Sequence, residues 1–371
     1  LKAIELRQVS DVKVGAFLSG GIDSSIIVAG MKQLGIKDIN TFSLVHNDSD
    51  YDESKYSDLI AKQNNTNHYR INISKSEVLH SIKEAVLKYD SPSVDGINSY
   101  IVSKKIQDTG IRVALSGLGG DEIFAGYPQF NYWFMINKLS KLVPRKILSK
   151  IFNTLFKFKV VNSLSFYKIS RILGEINSGR NINNIFRNMT YPAINQLFKH
   201  SNNFYEDQKD FLNIVDSSNY SLSEYSIEEL NGYTSNVLLK DTDQMSMANS
   251  LEVRVPFLDN NLVEYMLNVS DKHKQSWAPK ALLIRAFKDI IPSEIYTRKK
   301  QGFTIPIKKW MKNELHDFSQ VNLQYMMDSN SFDGGIIKKM WKDYINDGKN
   351  YMNIWSLIVL SSWLRENNIK I

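Results

Sequence analysis

Two glycine-rich loops carry the residues of this 371-residue chain that are best suited to chemistry. The first, Ser-Gly-Gly-Ile-Asp-Ser-Ser at 19–25, follows an apolar run at 14–18 and precedes a second apolar segment. A short apolar run bounded by turn residues is typical of a buried strand, and a helix is expected after it. Helix N-termini bind anions through free N–H groups, and glycine lets a phosphate approach the backbone. The pattern predicts a pyrophosphate-binding loop.

Asp23 lies in this loop, where an anion is expected, and a carboxylate beside a phosphate requires a cation between them. A divalent cation binds both carboxylate and phosphate oxygens, and Ser24 and Ser25 add hydroxyl donors. A second loop, Ser-Gly-Leu-Gly-Gly-Asp-Glu at 116–122, also follows an apolar run. Since the carboxyl ends of parallel strands meet at one edge of a sheet, Asp23 and Asp121 are expected to approach one ion–phosphate cluster.

Two other phosphate-binding motifs share parts of these loops but lack a required residue. A Walker A loop needs Gly-x-x-x-x-Gly-Lys-Ser/Thr; Gly15 and Gly20 have the spacing, but Gly21 stands in place of the lysine. A dinucleotide fingerprint, Gly-x-Gly-x-x-Gly, starts at Gly117, but its last position is Glu122. Both motifs are therefore excluded.

The elements that position the loops alternate between strand and helix in the first third of the chain. Apolar runs predict four strands, and periodic apolar positions between them predict two helices. The predicted strands are 13–18, 39–46, 67–73 and 112–115. The predicted helices are 53–64 and 76–89. Such alternation is typical of an α/β fold with a parallel sheet.

Beyond the second loop the sequence becomes mostly helical in character. We expect a nucleotide-binding α/β core at 1–130, a helical insertion at 131–225, and a helical region at 226–371 that completes the site. Serine and glutamate at capping-box spacing predict helix starts at Ser74 and Ser226.

The composition excludes several kinds of site. The chain has no cysteine, which rules out disulfides, Cys-ligated zinc, iron–sulfur clusters and a thiol nucleophile. The formal net charge is +7, but Lys and Arg are scattered, so nucleic acid is not an expected partner. No apolar run reaches the about 18 residues of a membrane span, so we expect a cytoplasmic protein with no membrane partner.

The first loop resembles the pyrophosphate loop of the adenylating amidotransferases and related ATP pyrophosphatases. The second loop, with Ile-Phe-Ala-Gly-Tyr at 123–127, resembles the synthetase domain of the asparagine synthetase family. Further similar motifs cover almost the full length, most weakly at 130–221, and lie at 90–100, 238–259, 280–285 and 298–303. The resemblance implies a parallel-sheet, adenine-nucleotide α-hydrolase-like (PP-loop) core with a large, mostly helical C-terminal part.

In that family, ATP and a carboxylate react to give an acyl-adenylate and magnesium pyrophosphate, and ammonia then displaces AMP to leave an amide. The resemblance implies ATP and Mg²⁺ as ligands, Asp23 and Asp121 as catalytic residues that hold the metal, and Lys300 as the group that stabilises charge on the reacting phosphate. The positions that it implies for ATP and pyrophosphate binding are Leu18, Ser19, Gly20, Gly21, Asp23, Ser24, Ser25, Leu44, Ser116 and Gly117.

Leu118 differs from the best-known asparagine synthetases, which have glutamate at this position. Leucine can neither accept a proton nor bind an ammonium ion. Leu118, Glu252 and Arg254 are candidate substrate residues, although Glu252 and Arg254 could equally form a structural ion pair. Asparagine synthesis from aspartate is the leading interpretation. The alternatives are amidation of another carboxylate in surface polysaccharide or secondary-metabolite biosynthesis, and a nucleotide-binding homologue that has lost catalysis.

Glutamine-dependent members of the family carry an N-terminal glutaminase domain whose first residue is a catalytic cysteine, and this sequence contains neither. Residues 10–15 resemble the family's sequence just past that domain, so we expect a truncated glutamine-dependent enzyme. The expected partners are ATP, a carboxylate and ammonia, and a homodimer is one candidate assembly.

Overall fold

The computed structural model describes residues 1–45, 54–140, 142–157, 173, 196–199, 221–274, 279–298, 306–348 and 350–370. Two predictions fall outside these residues. One is Lys300, and the other is most of the helical insertion at 131–225. The boundaries of the three expected parts therefore stay predictions.

A five-stranded, all-parallel sheet forms the centre of the fold, in the order β3-β2-β1-β4-β5. Its strands are β1 (Val14–Phe17), β2 (Asn40–Val45), β3 (Asn67–Asn72), β4 (Val113–Leu115) and β5 (Glu252–Arg254). The predicted α/β class is confirmed. The four predicted strands are all present, each shorter by one residue at one or both ends.

Helices surround the sheet and make up most of the C-terminal half. The helices before residue 158 are α1 (Lys2–Leu6), α2 (Ile22–Gln33), α3 (Ser54–Asn64), α4 (Lys75–Val86), α5 (Ile97–Gln107), α6 (Gly120–Ile123), α7 (Pro128–Ser140) and α8 (Arg145–Lys157). The described helices after residue 220 are α9 (Leu222–Glu229), α10 (Lys240–Met247), α11 (Asn260–Asn268), α12 (Asp271–Lys274), α13 (Ala281–Phe287), α14 (Ser293–Thr297), α15 (Ile307–Trp310), α16 (His316–Met327), α17 (Gly334–Asp347) and α18 (Tyr351–Glu366). A π-helical segment (Leu230–Leu239) joins α9 to α10.

Two apolar cores lie on the two faces of the sheet. Ala114 and Leu115 are neighbours on β4 but belong to different cores, as the alternation of side chains along a strand requires. The first core packs Ile82 of α4 with Ile354 and Trp355 of α18. The C-terminal helices therefore pack directly on the α/β part of the chain.

β5 is absent from the predicted elements, and it lies in the region expected to be helical. It pairs with β4, with Glu252 opposite Val113 and Arg254 opposite Leu115. Three residues are too few to show an alternating pattern, and the strand exists because β4 offers it an edge. The C-terminal region thus contributes a strand to the central sheet.

The two predicted capping boxes have different outcomes. Ser74 caps α4 together with Glu77, as predicted. The helix start predicted at Ser226 is wrong, because α9 begins after Ser221, which forms the capping box with Glu224. Ser226 lies inside α9.

In the part of the chain that the structure describes, no helix combines the length and apolar character needed to cross a bilayer.

The packing of α2 in the second core can be tested by truncating one of its buried side chains. Ile26 is 1% exposed, so Ile26→Ala leaves a cavity and is expected to lower the free energy of unfolding by about 2–5 kcal/mol. Val9 is 76% exposed, and Val9→Ala should change it by less than about 0.5 kcal/mol. Urea denaturation of both variants tests the placement of α2, and equal losses would contradict it.

Candidate active site

The first loop connects β1 to α2 and leaves the N-terminus of α2 open. Gly21 is the N-cap, and the first-turn N–H groups have no acceptor within the helix. Ser24 Oγ donates to the carbonyl of Gly21 (3.2 Å) and accepts from the N–H of Ser19 (3.2 Å), which holds the loop in a closed turn. Gly20 has φ +71°, and a Cβ there would lie 2.6 Å from the Cβ of Tyr56. The loop therefore requires glycine at this position.

Three residues predicted to bind ATP lie deeper in the fold than the loop itself. Ser25 is fully buried, and its N–H donates to the carbonyl of Gly21 (3.0 Å). Leu18 is also fully buried, and its N–H donates to the carbonyl of Phe42 (2.8 Å). Leu44 is 8% exposed and belongs to the first core. Their side chains are therefore packed in the interior beneath the loop and are not exposed at its surface.

The second loop packs against the first. A Cβ at Gly117 would lie 2.7 Å from the Cβ of Asp23 and 2.9 Å from the backbone nitrogen of Ser24. Ser116 fixes the loop, because its N–H donates to the carbonyl of Arg254 (2.8 Å) and its Oγ accepts from the N–H of Leu118 (3.4 Å). The structure thus brings together the two loops that the sequence places at one sheet edge.

Lys280 joins the two aspartates at the centre of the site. Its Nζ lies 2.7 Å from Oδ1 of Asp121 and also donates to Oδ2 of Asp23. Burial alone would lower the pKa of Lys280, but Asp23 and then Asp121 hold it above its ordinary value. Lys280 is 4% exposed, so the site contains a buried, charged ammonium group.

Glycine makes room for this group on two sides. A Cβ at Gly120 would lie 2.4 Å from Oδ1 of Asp23. A Cβ at Gly126 would lie 2.0 Å from Oδ1 of Asp121 and 2.2 Å from Cε of Lys280. Lys280 itself adopts φ +58°, an uncommon conformation for a residue with a side chain.

Glu122 supports the second loop from behind. Its carboxylate accepts from the hydroxyl of Tyr127 (2.9 Å) and from Thr234 of the π-helical segment (3.5 Å). Its carbonyl accepts from the hydroxyl of Ser226 (2.8 Å). Burial, and then the charge of Asp121, raise the pKa of Glu122 to about 7. The helix from α9 to α10 is therefore tied to the residue that follows Asp121.

Arg298 contacts the first loop from the end of α14. Its Nη2 donates to the carbonyl of Gly20 (3.0 Å), and its Cζ lies 4.3 Å from the centre of the Tyr56 ring. Lys300 follows two residues later, outside the described residues.

Glu252 and Arg254 form an ion pair with each other, which is the structural role considered for them from the sequence. Arg254 Nε donates to Glu252 (2.8 Å), and its Nη1 donates to the carbonyls of Arg7 (2.9 Å) and Val9 (2.7 Å). These contacts attach β5 to the segment that precedes β1. Leu118 is half-buried in the second loop. A substrate role for these three candidate residues stays a prediction.

The donor set fits Mg²⁺ when the metal is shared with a phosphate. Among the described residues, no group of three or more His, Asp or Glu side chains could hold a metal alone. Asp23 and Asp121 provide two carboxylates, and Mg²⁺ is commonly bound by one or two carboxylates together with substrate phosphates and water.

The family model for asparagine synthase matches residues 1–365. The chain belongs to the asparagine synthase family. It is 28% identical, over 97% of its length, to asparagine synthetase [glutamine-hydrolyzing] 1 of Bacillus subtilis (strain 168), covering 57% of that protein. It is 25% identical, over 85% of its length, to amidase chyE of Penicillium rubens, covering 52% of it. The chain spans about half the length of the curated relatives that it matches.

Two residues of the site are not predicted from the sequence. Lys280 and Arg298 lie in stretches that resemble the family, but a single lysine or arginine is most often solvated, and no local pattern marks either one. Only the fold shows that they reach the two loops.

Removal of the ammonium tests its role in holding the carboxylates together. In Lys280→Met, Asp23 and Asp121 lose a buried counter-charge, so the free energy of unfolding at pH 8 should fall by about 3–5 kcal/mol. Lys274 is a matched control because it is 2% exposed and burial lowers its pKa. Denaturant titration should show a much smaller loss for Lys274→Met, and equal losses would contradict the role of Lys280.

The raised pKa of Glu122 predicts a pH dependence of stability. Because the folded pKa is about 7 against an ordinary value of 4.5, the stability that Glu122 contributes is complete below about pH 4.5 and is lost as the pH rises through 7. Glu122→Gln lacks this loss. Its stability relative to the unmodified chain should therefore rise by up to about 3 kcal/mol between pH 4.5 and 8.

Glu77→Gln is the control with the opposite sign, because Lys105 and Ser74 lower the pKa of Glu77 to about 2. Denaturation curves at pH 4.5 and 8 measure both variants. A pH-independent difference for Glu122→Gln would show that folding does not raise the pKa of Glu122.

Proposed function

We propose that this chain catalyses the ATP-dependent amidation of a carboxylate through an acyl-adenylate, with aspartate as the leading substrate. The observation that carries the proposal is the convergence of Asp23 and Asp121 on Lys280 beside the open N-terminus of α2. Membership of the asparagine synthase family supports it.

Amidation of a carboxylate requires a better leaving group than oxide, and adenylation supplies AMP in that role. An oxygen of the substrate carboxylate attacks the α-phosphorus of ATP, the bond between this phosphorus and the oxygen bridging to the β-phosphorus breaks, and pyrophosphate leaves. Ammonia then attacks the acyl carbon, AMP leaves with the electron pair of the acyl C–O bond, and the nitrogen loses a proton. Negative charge grows on pyrophosphate in the first step, so fixed donors there lower the barrier.

The residues of the two loops suit that demand. The first-turn N–H groups of α2 and the hydroxyl of Ser19 would face an anion bound at the helix start, and Ser24 closes the loop around it. Asp23 and Asp121 would hold Mg²⁺, which when bound supplies positive charge beside the phosphates. Lys280 holds both carboxylates in place. We propose that Lys300 is a second cation, which stabilises the charge on the reacting phosphate.

The adenosine end of the site is assigned to positions at the sheet edge. We propose that Leu18, Leu44, Ser116 and Gly117 line it. Because the side chains of Leu18 and Leu44 are buried, their backbone groups are the ones that would contact the nucleoside.

A second candidate differs only in the carboxylate. Leu118 places an apolar side chain in the second loop, where it cannot bind an ammonium ion, and the Penicillium rubens relative is named an amidase. A carboxylate other than aspartate is therefore the second candidate for the acceptor. For nitrogen, relatives that are named glutamine-hydrolyzing suggest glutamine as the source in a longer protein, with ammonia reaching this part.

The products of ATP distinguish this chemistry from hydrolysis. With ammonium and aspartate labelled with ¹⁸O in its side-chain carboxylate, AMP should carry one ¹⁸O, and pyrophosphate should form in equal amount. Formation of ADP and phosphate would contradict the proposal. A panel of other carboxylates, assayed in the same way, decides between the two candidates.

Asp23→Asn tests the site within this assay. Loss of one charge at the metal and at Lys280 should lower the rate of AMP formation about 100- to 1,000-fold. Asp317→Asn is the control because this carboxylate is fully exposed and far from the loops in sequence. Thermal melting of both variants shows whether Asp23→Asn acts on turnover in a folded protein, and a rate near that of the control would contradict the assignment.

A further inference from the structure

We propose that Arg298 is a positioning residue that fixes the peptide between Gly20 and Gly21 in the orientation that pyrophosphate binding requires. The inference rests on the proposed function, because it concerns the same loop. It assigns to Arg298 a contact with the protein backbone and not with the substrate.

The first observation is the direction of this peptide. Nη2 of Arg298 donates to the carbonyl of Gly20 (3.0 Å). In a trans peptide the C=O and the following N–H point in opposite directions, and the described chain has no cis peptide. Holding the carbonyl of Gly20 toward Arg298 therefore turns the N–H of Gly21 to the opposite side.

That N–H is engaged only weakly. It donates to Oγ of Ser19 at 3.3 Å, which is beyond the usual range of 2.7–3.2 Å for N–H···O bonds. A phosphate oxygen, with its negative charge, is a stronger acceptor than a hydroxyl. The N–H of Gly21 is thus available to an anion while its direction stays fixed.

A constraint from outside the loop is needed because the peptide joins two glycines. Gly20 has φ +71°, and glycine populates positive and negative φ about equally. Neither residue has a side chain that would oppose rotation of the peptide. The hydrogen bond from Arg298 adds a shorter restraint, from outside the loop, to the weak one from Oγ of Ser19.

The guanidinium is itself held on two sides. Its Cζ lies 4.3 Å from the centre of the Tyr56 ring, and a planar guanidinium stacks on an aromatic face as an ammonium does not. The backbone at Arg298 ends α14, which is anchored by Ile295, a buried member of the second core. The position of the donor is therefore set by the fold.

The test measures pyrophosphate binding and turnover separately. Calorimetric titration with magnesium pyrophosphate gives affinity without any carboxylate, and AMP formation gives kcat and the KM for ATP. Arg298→Met should weaken pyrophosphate binding and lower kcat about 10- to 100-fold, with a smaller change in KM. Arg298→Lys should restore little, because it keeps the charge but loses the planar, stacked donor.

Arg365→Met is the matched control. Arg365 also combines a ring and a hydrogen bond, with its Cζ 5.9 Å from the centre of the Tyr325 ring and its Nη1 donating to Asn322 (3.1 Å). It should leave pyrophosphate affinity unchanged. If Arg298→Met does not fold, Tyr56→Leu, which removes only the ring under the guanidinium, should show the same loss in weaker form.

Two outcomes would overturn the proposal. Unchanged pyrophosphate affinity and kcat in both Arg298→Met and Tyr56→Leu would show that the contact only stabilises the fold. Full recovery by Arg298→Lys would show that the positive charge at this position acts directly on the phosphate. An unmodified chain that binds magnesium pyrophosphate but forms no AMP contradicts the proposed function alone, while one that does not bind it contradicts both.

Discussion

A buried ammonium held between two carboxylates is the interaction on which the rest of this structure depends. Removing a charge from water costs several kcal/mol, so Lys280 stays buried and charged only because Asp23 and Asp121 lie beside it. Each group comes from a different part of the chain: α2, α6 and the turn before α13. The parallel sheet, the two glycine loops and the C-terminal helices must all be in place before the three groups can meet.

The parts of the fold that the sequence predicts are those that a short, continuous stretch of residues determines. Glycine, aspartate and serine at fixed spacing after an apolar run mark both loops, and strand-helix alternation marks the parallel sheet. Lys280 has no local cause, because it is 257 residues away from Asp23 and is recognisable only from their contact. β5 is similar, since its three residues are a strand only beside β4.

Local signals also mislead when they occur inside a longer element. Ser226 and Glu229 have capping-box spacing, yet Ser226 lies within α9 and its hydroxyl bonds the carbonyl of Glu122. Ser221 and Glu224 have the same spacing five residues earlier, and the cap forms there. The sequence alone does not distinguish substrate binding from a structural role for Glu252 and Arg254, and in the structure the two form an ion pair on the short edge strand β5.

The charge at the centre of the site explains why a metal belongs to the proposed reaction. Two carboxylates and one ammonium have a formal charge of −1, which by itself repels the phosphates of ATP. A divalent cation at the same carboxylates would reverse that sign to +1, and it would do so only where Asp23 and Asp121 are already held together. Lys280 therefore holds the two carboxylates where a metal could bind them, but its single charge is too small to replace that metal. The open N-terminus of α2, with the Gly20–Gly21 peptide held by Arg298, then faces an anion whose charge is balanced from the other side.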